Sequence, residues 1–189
     1  MVSLGCNIMY KKEYFLIESL YNKYKFLLYK EAYNILHDKS LAEDMVKQTF
    51  IKIMDNIHKI KDIDSAETRN YLCIICRNLS INFYNKNKRI SIYDKDDMID
   101  IKSRLEDDFN ELIIDNENVE LLKKAVNKLP VIYRDVLILE KIKDNTIEDI
   151  AKILDISIDA VRKRSQRARK LIMEILEKDG VINNGKKRK

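Results

Sequence analysis

Glycine and proline are so scarce in this chain that few fold classes remain open to it. The 189 residues include three glycines and one proline. Tight turns between strands depend on these two residues, so sandwiches, barrels and glycine-rich phosphate-binding folds are disfavoured. Charged residues make up 35% of the chain and hydrophobic residues 46%, a mixture typical of amphipathic helices in a soluble protein. We therefore predict an all-α fold.

The charges fall into three blocks along the chain. Residues 1–93 carry 15 basic and 10 acidic residues, 94–118 carry 3 and 10, and 119–189 carry 18 and 11. The acidic block coincides with a break in the helical pattern, which indicates a solvated connector. We predict two small helical domains, residues 10–93 and 119–178, joined by an acidic linker over 94–118 and followed by a basic, disordered tail over 179–189. Each basic domain could attract a polyanion, or could simply be a soluble helical surface.

Membrane insertion, export and metal binding find little support in the sequence. The longest uncharged apolar stretch covers residues 71–76, far short of the roughly 20 residues that span a bilayer. The N-terminus lacks the apolar core of a signal peptide, and three cysteines are an odd number that fits the reducing cytoplasm. Cys73 and Cys76 form a lone C-x-x-C. We interpret them as two helical core residues, with a metal or redox role as the alternative.

Apolar side chains recur at helical spacing through the first half of the chain and predict three helices. The first stripe covers residues 14–36 and includes Tyr24. Ser40 and Glu43 have the spacing of a capping box at the start of the second helix, and Asp64 and Glu67 repeat that spacing at the start of the third.

The third helix also presents a polar face of amides and cations. Asn78, Asn82, Asn85 and Arg89 follow one another at intervals of four, three and four residues, and beside them lie Arg77, Tyr84 and Lys88. Such a face suits phosphate contacts and base stacking. An ordinary solvated helix face is the alternative.

The second half of the chain contains a helix-turn-helix pattern. Thr146 and Ser157 are placed to cap two helices, and Asp155 lies in the turn between them, where it can adopt a left-handed conformation. Ala151 allows close crossing and Val161 fills the core between the helices. The outer face of the second helix is basic and resembles a recognition helix: Arg162, Lys163, Arg164, Gln166, Arg167 and Arg169. A stand-alone regulator and a module that binds an acidic protein are alternative readings.

Several stretches together resemble one family. Residues 42–50, AEDMVKQTF, resemble the AEDLVQETF signature of bacterial RNA polymerase sigma factors, and residues 68–81, TRNYLCIICRNLSI, resemble the motif that follows it. Residues 129–137, 147–151 and 161–169 resemble the promoter-reading C-terminal domain of the same family. The order and spacing are those of the small two-domain, extracytoplasmic-function type of the sigma-70 family.

The resemblance implies specific roles for named residues. The helix containing Asp44, Lys47, Gln48 and Phe50 would dock on the clamp helices of the largest polymerase subunit, and the loop after residue 60 would capture a flipped −10 base. The residues implied in −10 binding and melting are Lys61, Asp62, Asp64, Arg69, Tyr71, Arg77, Asn78, Lys86 and Arg89. The residues implied in −35 binding are Ser157, Ala160, Arg162, Lys163, Arg164, Gln166 and Arg167.

The resemblance also implies the partners and the class of activity. The partners would be core RNA polymerase, through the clamp helices and the flap of the second-largest subunit, promoter DNA, and an anti-sigma factor, which in this family is often anchored in the membrane. The chain itself would act in the cytoplasm as a non-catalytic specificity subunit, without direct membrane insertion. The residues agree, because the sequence shows no clustered histidines, no nucleophile with a nearby base and no metal set. We expect no cofactor and no metal.

Overall fold

A computed structural model describes residues 3–91, 117–142 and 145–181 of the chain. Within these residues the regular structure is helical throughout, with seven α-helices, one 3-10 turn at Ile57–Lys59 and no strand. The predicted all-α fold is confirmed. The helices are α1 (Ser3–Leu36), α2 (Lys39–Met54), α3 (Ala66–Ser91), α4 (Glu117–Asn127), α5 (Val131–Lys141), α6 (Ile147–Leu154) and α7 (Ile158–Lys178).

The helices form two compact units, here called unit 1 (α1 to α3) and unit 2 (α4 to α7). Most of the predicted acidic linker and the end of the predicted tail lie outside the described residues. α4 begins at Glu117, two residues inside the range predicted for the linker. In the part of the chain that the structure describes, no helix is long and apolar enough to cross a membrane.

Unit 1 is a bundle in which α1, α2 and α3 all pack against one another. The predicted apolar stripes form its core, which includes Leu20, Leu28, Ile53, Leu72 and Ile75. α1 begins at Ser3 and is therefore longer than the predicted 14–36 segment.

The predicted first residues of α2 and α3 are wrong by one or two positions. Asp38, not Ser40, caps α2, because the left-handed backbone of His37 ends α1 and leaves Asp38 extended, with its carboxylate accepting from the Leu41 amide at 2.9 Å. At α3 the cap is Ser65, whose hydroxyl oxygen accepts from the Thr68 amide at 3.1 Å. Asp64 lies outside the helix.

Cys73 and Cys76 lie fully inside unit 1, which confirms their interpretation as core residues. The Cys76 thiol donates to the Leu28 carbonyl oxygen on α1, with 3.4 Å between sulfur and oxygen. Burial raises the pKa of the Cys76 thiol from 9.0 to about 11. The thiolate, the reactive and metal-binding form, is therefore strongly disfavoured at neutral pH.

Unit 2 packs α4, α5 and α6 around the long helix α7. Its core includes Leu129, Val136, Leu139, Ile150 and Val161. Two ion pairs of 2.7 Å lie at the surface of unit 2, one between Lys128 and Asp179 at the end of α7 and one between Arg169 and Glu140.

The helix-turn-helix is formed by α6 and α7, and its predicted local chemistry is confirmed. Thr146 and Asp149 complete a reciprocal capping box at the start of α6. Asp155 adopts the left-handed conformation, with φ 51° and ψ 49°, and the Ser157 hydroxyl oxygen accepts from the Ala160 amide at 3.1 Å. These contacts define where α6 ends and α7 begins, and so fix the angle of the outer face of α7.

Candidate nucleic-acid interface

The outer face of α7 presents four exposed polar side chains, which we call the α7 face: Arg162, Lys163, Gln166 and Arg167. The opposite side of the helix is buried through Val161, Ser165 and Ala168. Because packing on that side fixes the helix, the side chains of the α7 face project from a rigid support. Arg162 pairs with Asp159 at 3.4 Å, but both are exposed, and an exposed pair of this kind contributes little and is easily exchanged for another anion.

Three other residues predicted for −35 contacts occupy different positions. Ser157 is exposed, but its hydroxyl oxygen caps α7, and Ala160 is half-buried. Arg164 is half-buried, and burial lowers the pKa of its guanidinium, which also interacts electrostatically with Tyr133 and Asp135. Arg164 therefore lies at the edge of the α7 face, towards α5.

Arg169 connects two helices. Its guanidinium contacts the Glu140 carboxylate on α5 at 2.7 Å and also reaches the Ser165 hydroxyl at 3.3 Å. The Arg169 side chain is 67% exposed, as expected for the basic outer face, and it also contacts α5 through Glu140, whose side chain is only 20% exposed.

In unit 1, residues 61–65 connect the end of α2 and its 3-10 turn to α3; we call them the 61–65 loop. Lys61, Asp62 and Asp64 are exposed there. The loop is hydrogen-bonded internally. The Asp62 carboxylate accepts from the Asp64 amide at 2.8 Å, and the Asp62 carbonyl oxygen accepts from the hydroxyl groups of Ser65 at 3.0 Å and Thr68 at 2.6 Å.

The 61–65 loop is also tied to α1 by two residues that sequence reasoning did not assign to it. The Tyr24 hydroxyl donates to the Ile63 carbonyl oxygen at 2.6 Å, and the Lys23 ammonium pairs with the Asp64 carboxylate. Burial raises the pKa of the Tyr24 phenol, so it remains a protonated donor at neutral pH. Tyr24 belongs to the apolar stripe of α1, and the stripe predicted its burial but not its partner.

Two of the residues predicted to hold DNA near the −10 element lie inside unit 1. The Tyr71 and Arg77 side chains are 2% and 1% exposed, and the Arg77 guanidinium Nε lies 3.7 Å from the Glu31 carboxylate. Direct contact with DNA requires an exposed side chain, so the structure corrects these two assignments. Both residues face the core because α3 is covered by α1 and α2 along this stretch.

The remaining residues predicted on α3 are more accessible. Lys86 is exposed, and Arg69 and Asn78 are half-buried. The side chain of Arg89 lies outside the described residues.

Of the four residues predicted on α2 to contact the polymerase, three are exposed and one is buried. Asp44, Lys47 and Gln48 are exposed, and we call them the α2 face; the Lys47 ammonium lies 3.0 Å from the Asp44 carboxylate. Phe50 is 6% exposed and packs edge-on against Tyr21 of α1 at 5.2 Å between ring centroids. Phe50 is therefore a core residue of unit 1, which corrects its assignment as a direct contact.

The sequences of both units match models of known protein families. Residues 20–90 match the model of sigma-70 region 2, and residues 120–172 match the model of sigma-70 region 4. Together the two matches cover more than half of the chain, in the order expected. The chain belongs to the sigma-70 family.

Similar sigma-70 proteins are of the extracytoplasmic-function (ECF) type. The ECF RNA polymerase sigma factor SigX of Bacillus subtilis (strain 168) is 27% identical over 163 residues, which cover 84% of this chain and 82% of SigX. The ECF RNA polymerase sigma factor SigM of the same organism is 27% identical over 141 residues, 75% of this chain and 83% of SigM. The chain is thus a sigma factor of the ECF type, which recognises promoters together with RNA polymerase.

The two family matches include the surfaces described above. Region 2 covers most of unit 1, including the α2 face and the 61–65 loop, and region 4 covers α7 as far as Ile172. In the described parts of both units, no group of three or more histidine, cysteine or acidic residues is placed to hold a metal ion.

Proposed function

We propose that unit 1 binds core RNA polymerase and opens the −10 element, while unit 2 reads the −35 element. The observation that carries this proposal is the α7 face: exposed cations and an amide on the second helix of a capped helix-turn-helix. The sigma factor would be non-catalytic and would act in the cytoplasm, where the polymerase forms the phosphodiester bonds.

At the −35 element, α7 would enter the major groove. Arginine can bond in a bidentate manner to guanine and glutamine to adenine, and each such pair discriminates by about 1–3 kcal/mol. Arg162, Gln166 and Arg167 are the candidates for base contacts, because their side chains are exposed on the outer face. Lys163 and the half-buried Arg164 are better suited to phosphate contacts at the edges of the groove.

At the −10 element, the 61–65 loop would receive a base extruded from the duplex. Opening DNA costs about 1.4 kcal/mol per stacked step, and capture of a flipped base offsets part of that cost. Exposed Lys61, Asp62 and Asp64 surround the loop backbone, and Lys86 and Asn78 of α3 would hold the separated strand. Tyr71 and Arg77 would support α3 from inside unit 1 instead of contacting DNA.

The α2 face would bind the clamp helices of the largest polymerase subunit. Its carboxylate, ammonium and amide groups are exposed and offer both donors and acceptors. Unit 2 would contact the flap of the second-largest subunit. Two weak DNA sites held at a fixed distance by the polymerase gain from effective concentration once both engage.

An anti-sigma factor would keep the chain inactive by covering the same exposed surfaces. The α2 face is a natural target, because occupation there would block the clamp helices. In many members of the family the anti-sigma factor is anchored in the membrane. Its cytoplasmic part would then bind this chain in the cytoplasm.

Co-purification with core RNA polymerase and factor-dependent transcription test the proposal. We expect the chain to bind core at low salt and to direct initiation from a defined start site. A double variant of the α2 face, Lys47→Ala with Gln48→Ala, should weaken binding to core, whereas Lys30→Ala, a change of an exposed lysine on α1, should not. A chain that does not bind core at low salt would refute the proposal.

A further inference from the structure

We propose that Tyr24 is a positioning residue for base selection at the −10 element. Its hydroxyl group fixes the backbone of the 61–65 loop and thereby the arrangement of the exposed side chains around it. The inference rests on the proposed role of this loop in receiving a base.

The contact joins a rigid element to an exposed one. Tyr24 is 4% exposed within the core of unit 1, and its hydroxyl donates to the Ile63 carbonyl oxygen at 2.6 Å. Ile63 stands between Asp62 and Asp64, both of which are exposed. The hydrogen bond therefore acts on the backbone at the centre of the loop, and both neighbouring side chains depend on where that backbone lies.

A second contact between α1 and the loop is made at the next residue, Asp64. The Lys23 ammonium of α1 pairs with the Asp64 carboxylate, while the Asp64 amide donates to the Asp62 carboxylate at 2.8 Å. The hydrogen bond between the Asp64 amide and the Asp62 carboxylate stabilises the conformation of the loop itself. The contacts from Tyr24 and Lys23 hold the loop at one position on α1. The Lys23 pair is exposed, so we expect the part-buried Tyr24 hydrogen bond to contribute more.

Base selection is sensitive to such positioning. A recognition site must hold its groups within about 0.5 Å of the productive geometry. A single hydrogen bond of this kind changes an equilibrium by a factor of about two to ten. Loss of the Tyr24 hydroxyl should therefore reduce discrimination between bases at the −10 element by about two- to tenfold, without weakening the binding of core polymerase.

The test compares two single-atom changes on the same helix. Tyr24→Phe removes the hydroxyl and keeps the buried ring. Tyr29→Phe is the matched control, because the Tyr29 ring stacks on Tyr33 at 5.9 Å between centroids, and not on the loop. Each variant is combined with core polymerase and used to transcribe a promoter library in which every −10 position carries all four bases. Hydrogen exchange of the amides in residues 61–65 and the thermal midpoint of the chain are measured in parallel.

We expect Tyr24→Phe to lower base discrimination and to accelerate exchange in the loop, with unchanged core binding, while Tyr29→Phe behaves as the wild type. Lys23→Met, at an exposed position, should cause a smaller change in the same direction. Wild-type discrimination in Tyr24→Phe would overturn the inference, and so would a loss fully explained by a lower thermal midpoint. Lys61→Ala tests the loop itself: altered discrimination there with wild-type behaviour in Tyr24→Phe overturns only the inference, whereas no effect in either variant overturns the role of the loop as well.

Discussion

Arg77 and Glu31 form an ion pair inside unit 1, with 3.7 Å between the guanidinium Nε and the carboxylate. Arg77 is 1% exposed and lies on α3, while Glu31 lies on α1. A charge buried to this extent requires compensation, and removal of one partner strands the other in a poorly hydrated site. The pair therefore joins α1 and α3 of unit 1, and this is how Arg77 would influence DNA opening under the proposed function.

Replacement of Arg77 should be a stability defect. We expect Arg77→Ala to lower the free energy of unfolding by about 3 kcal/mol, because it leaves the Glu31 carboxylate without its partner and opens a cavity. Urea unfolding followed by circular dichroism measures the change. Lys86→Ala, on the exposed part of the same helix, should stay within about 0.5 kcal/mol of the wild type. An Arg77→Ala chain of wild-type stability that fails only in promoter opening would restore Arg77 as a direct DNA contact.

The Cys76 thiol should make stability depend on alkaline pH. Its pKa is raised from 9.0 to about 11 by burial, so the unfolded chain loses the thiol proton at lower pH than the folded chain does. The stabilisation is fully present below pH 9 and is lost as the pH rises towards 11. Denaturant unfolding at pH 8, 9, 10 and 11 should show a steeper decline for the wild type than for Cys76→Ala. Equal slopes for the two proteins would contradict the burial of this thiol.

Asp155 should tolerate glycine but not a β-branched residue. Its left-handed backbone, with φ 51°, disfavours side chains that branch at Cβ. Asp155→Val should lower the stability of unit 2 by about 1–2 kcal/mol, whereas Asp155→Gly should be close to neutral. Thermal unfolding measures both. Equal destabilisation by glycine and valine would instead indicate that the aspartate side chain, not the backbone, stabilises the turn.

Arg167 and Arg169 should differ although each change removes one positive charge from α7. Arg167→Ala should reduce discrimination between the cognate and a mutated −35 element by about fivefold or more, because a base contact is lost. Arg169→Ala should leave that ratio within about twofold of wild type, because its guanidinium contacts a Glu140 carboxylate that is only 20% exposed, at 2.7 Å, whereas the partner of Arg162 is 79% exposed. Transcription from paired promoters gives the ratio. Equal losses would show that α7 contributes only general attraction for phosphate.

Local chemistry was predictable from the sequence, and contacts between distant segments were not. The left-handed Asp155 and the caps at Thr146 and Ser157 depend on neighbouring residues alone, and each was predicted. The N-caps of α2 and α3 were predicted wrongly because each helix start offers two capping residues close together. Ser40 was predicted where Asp38 caps α2, and Asp64 was predicted where Ser65 caps α3. The choice between them depends on where the preceding segment ends.

Site residues were harder to predict for the same reason. Helical periodicity separates a buried face from an exposed face, but it placed Arg77 on the polar side of α3. Arg77 is buried because α1 and α2 cover α3 there, and its ion-pair partner Glu31 stands 46 positions earlier in the chain. The link from Tyr24 to Ile63 likewise spans 39 positions. Such pairs become visible only when the packing of the helices is known.

The most direct test of the account is binding to one promoter duplex, containing both −35 and −10 elements, by the chain alone, by core polymerase alone and by the two together. We expect a complex specific for both elements, with opened DNA, only when both proteins are present. The chain alone should bind weakly and lose affinity steeply with salt, as expected for contacts to phosphate. Tight, specific binding by the chain alone, to which core polymerase adds nothing, would contradict the account.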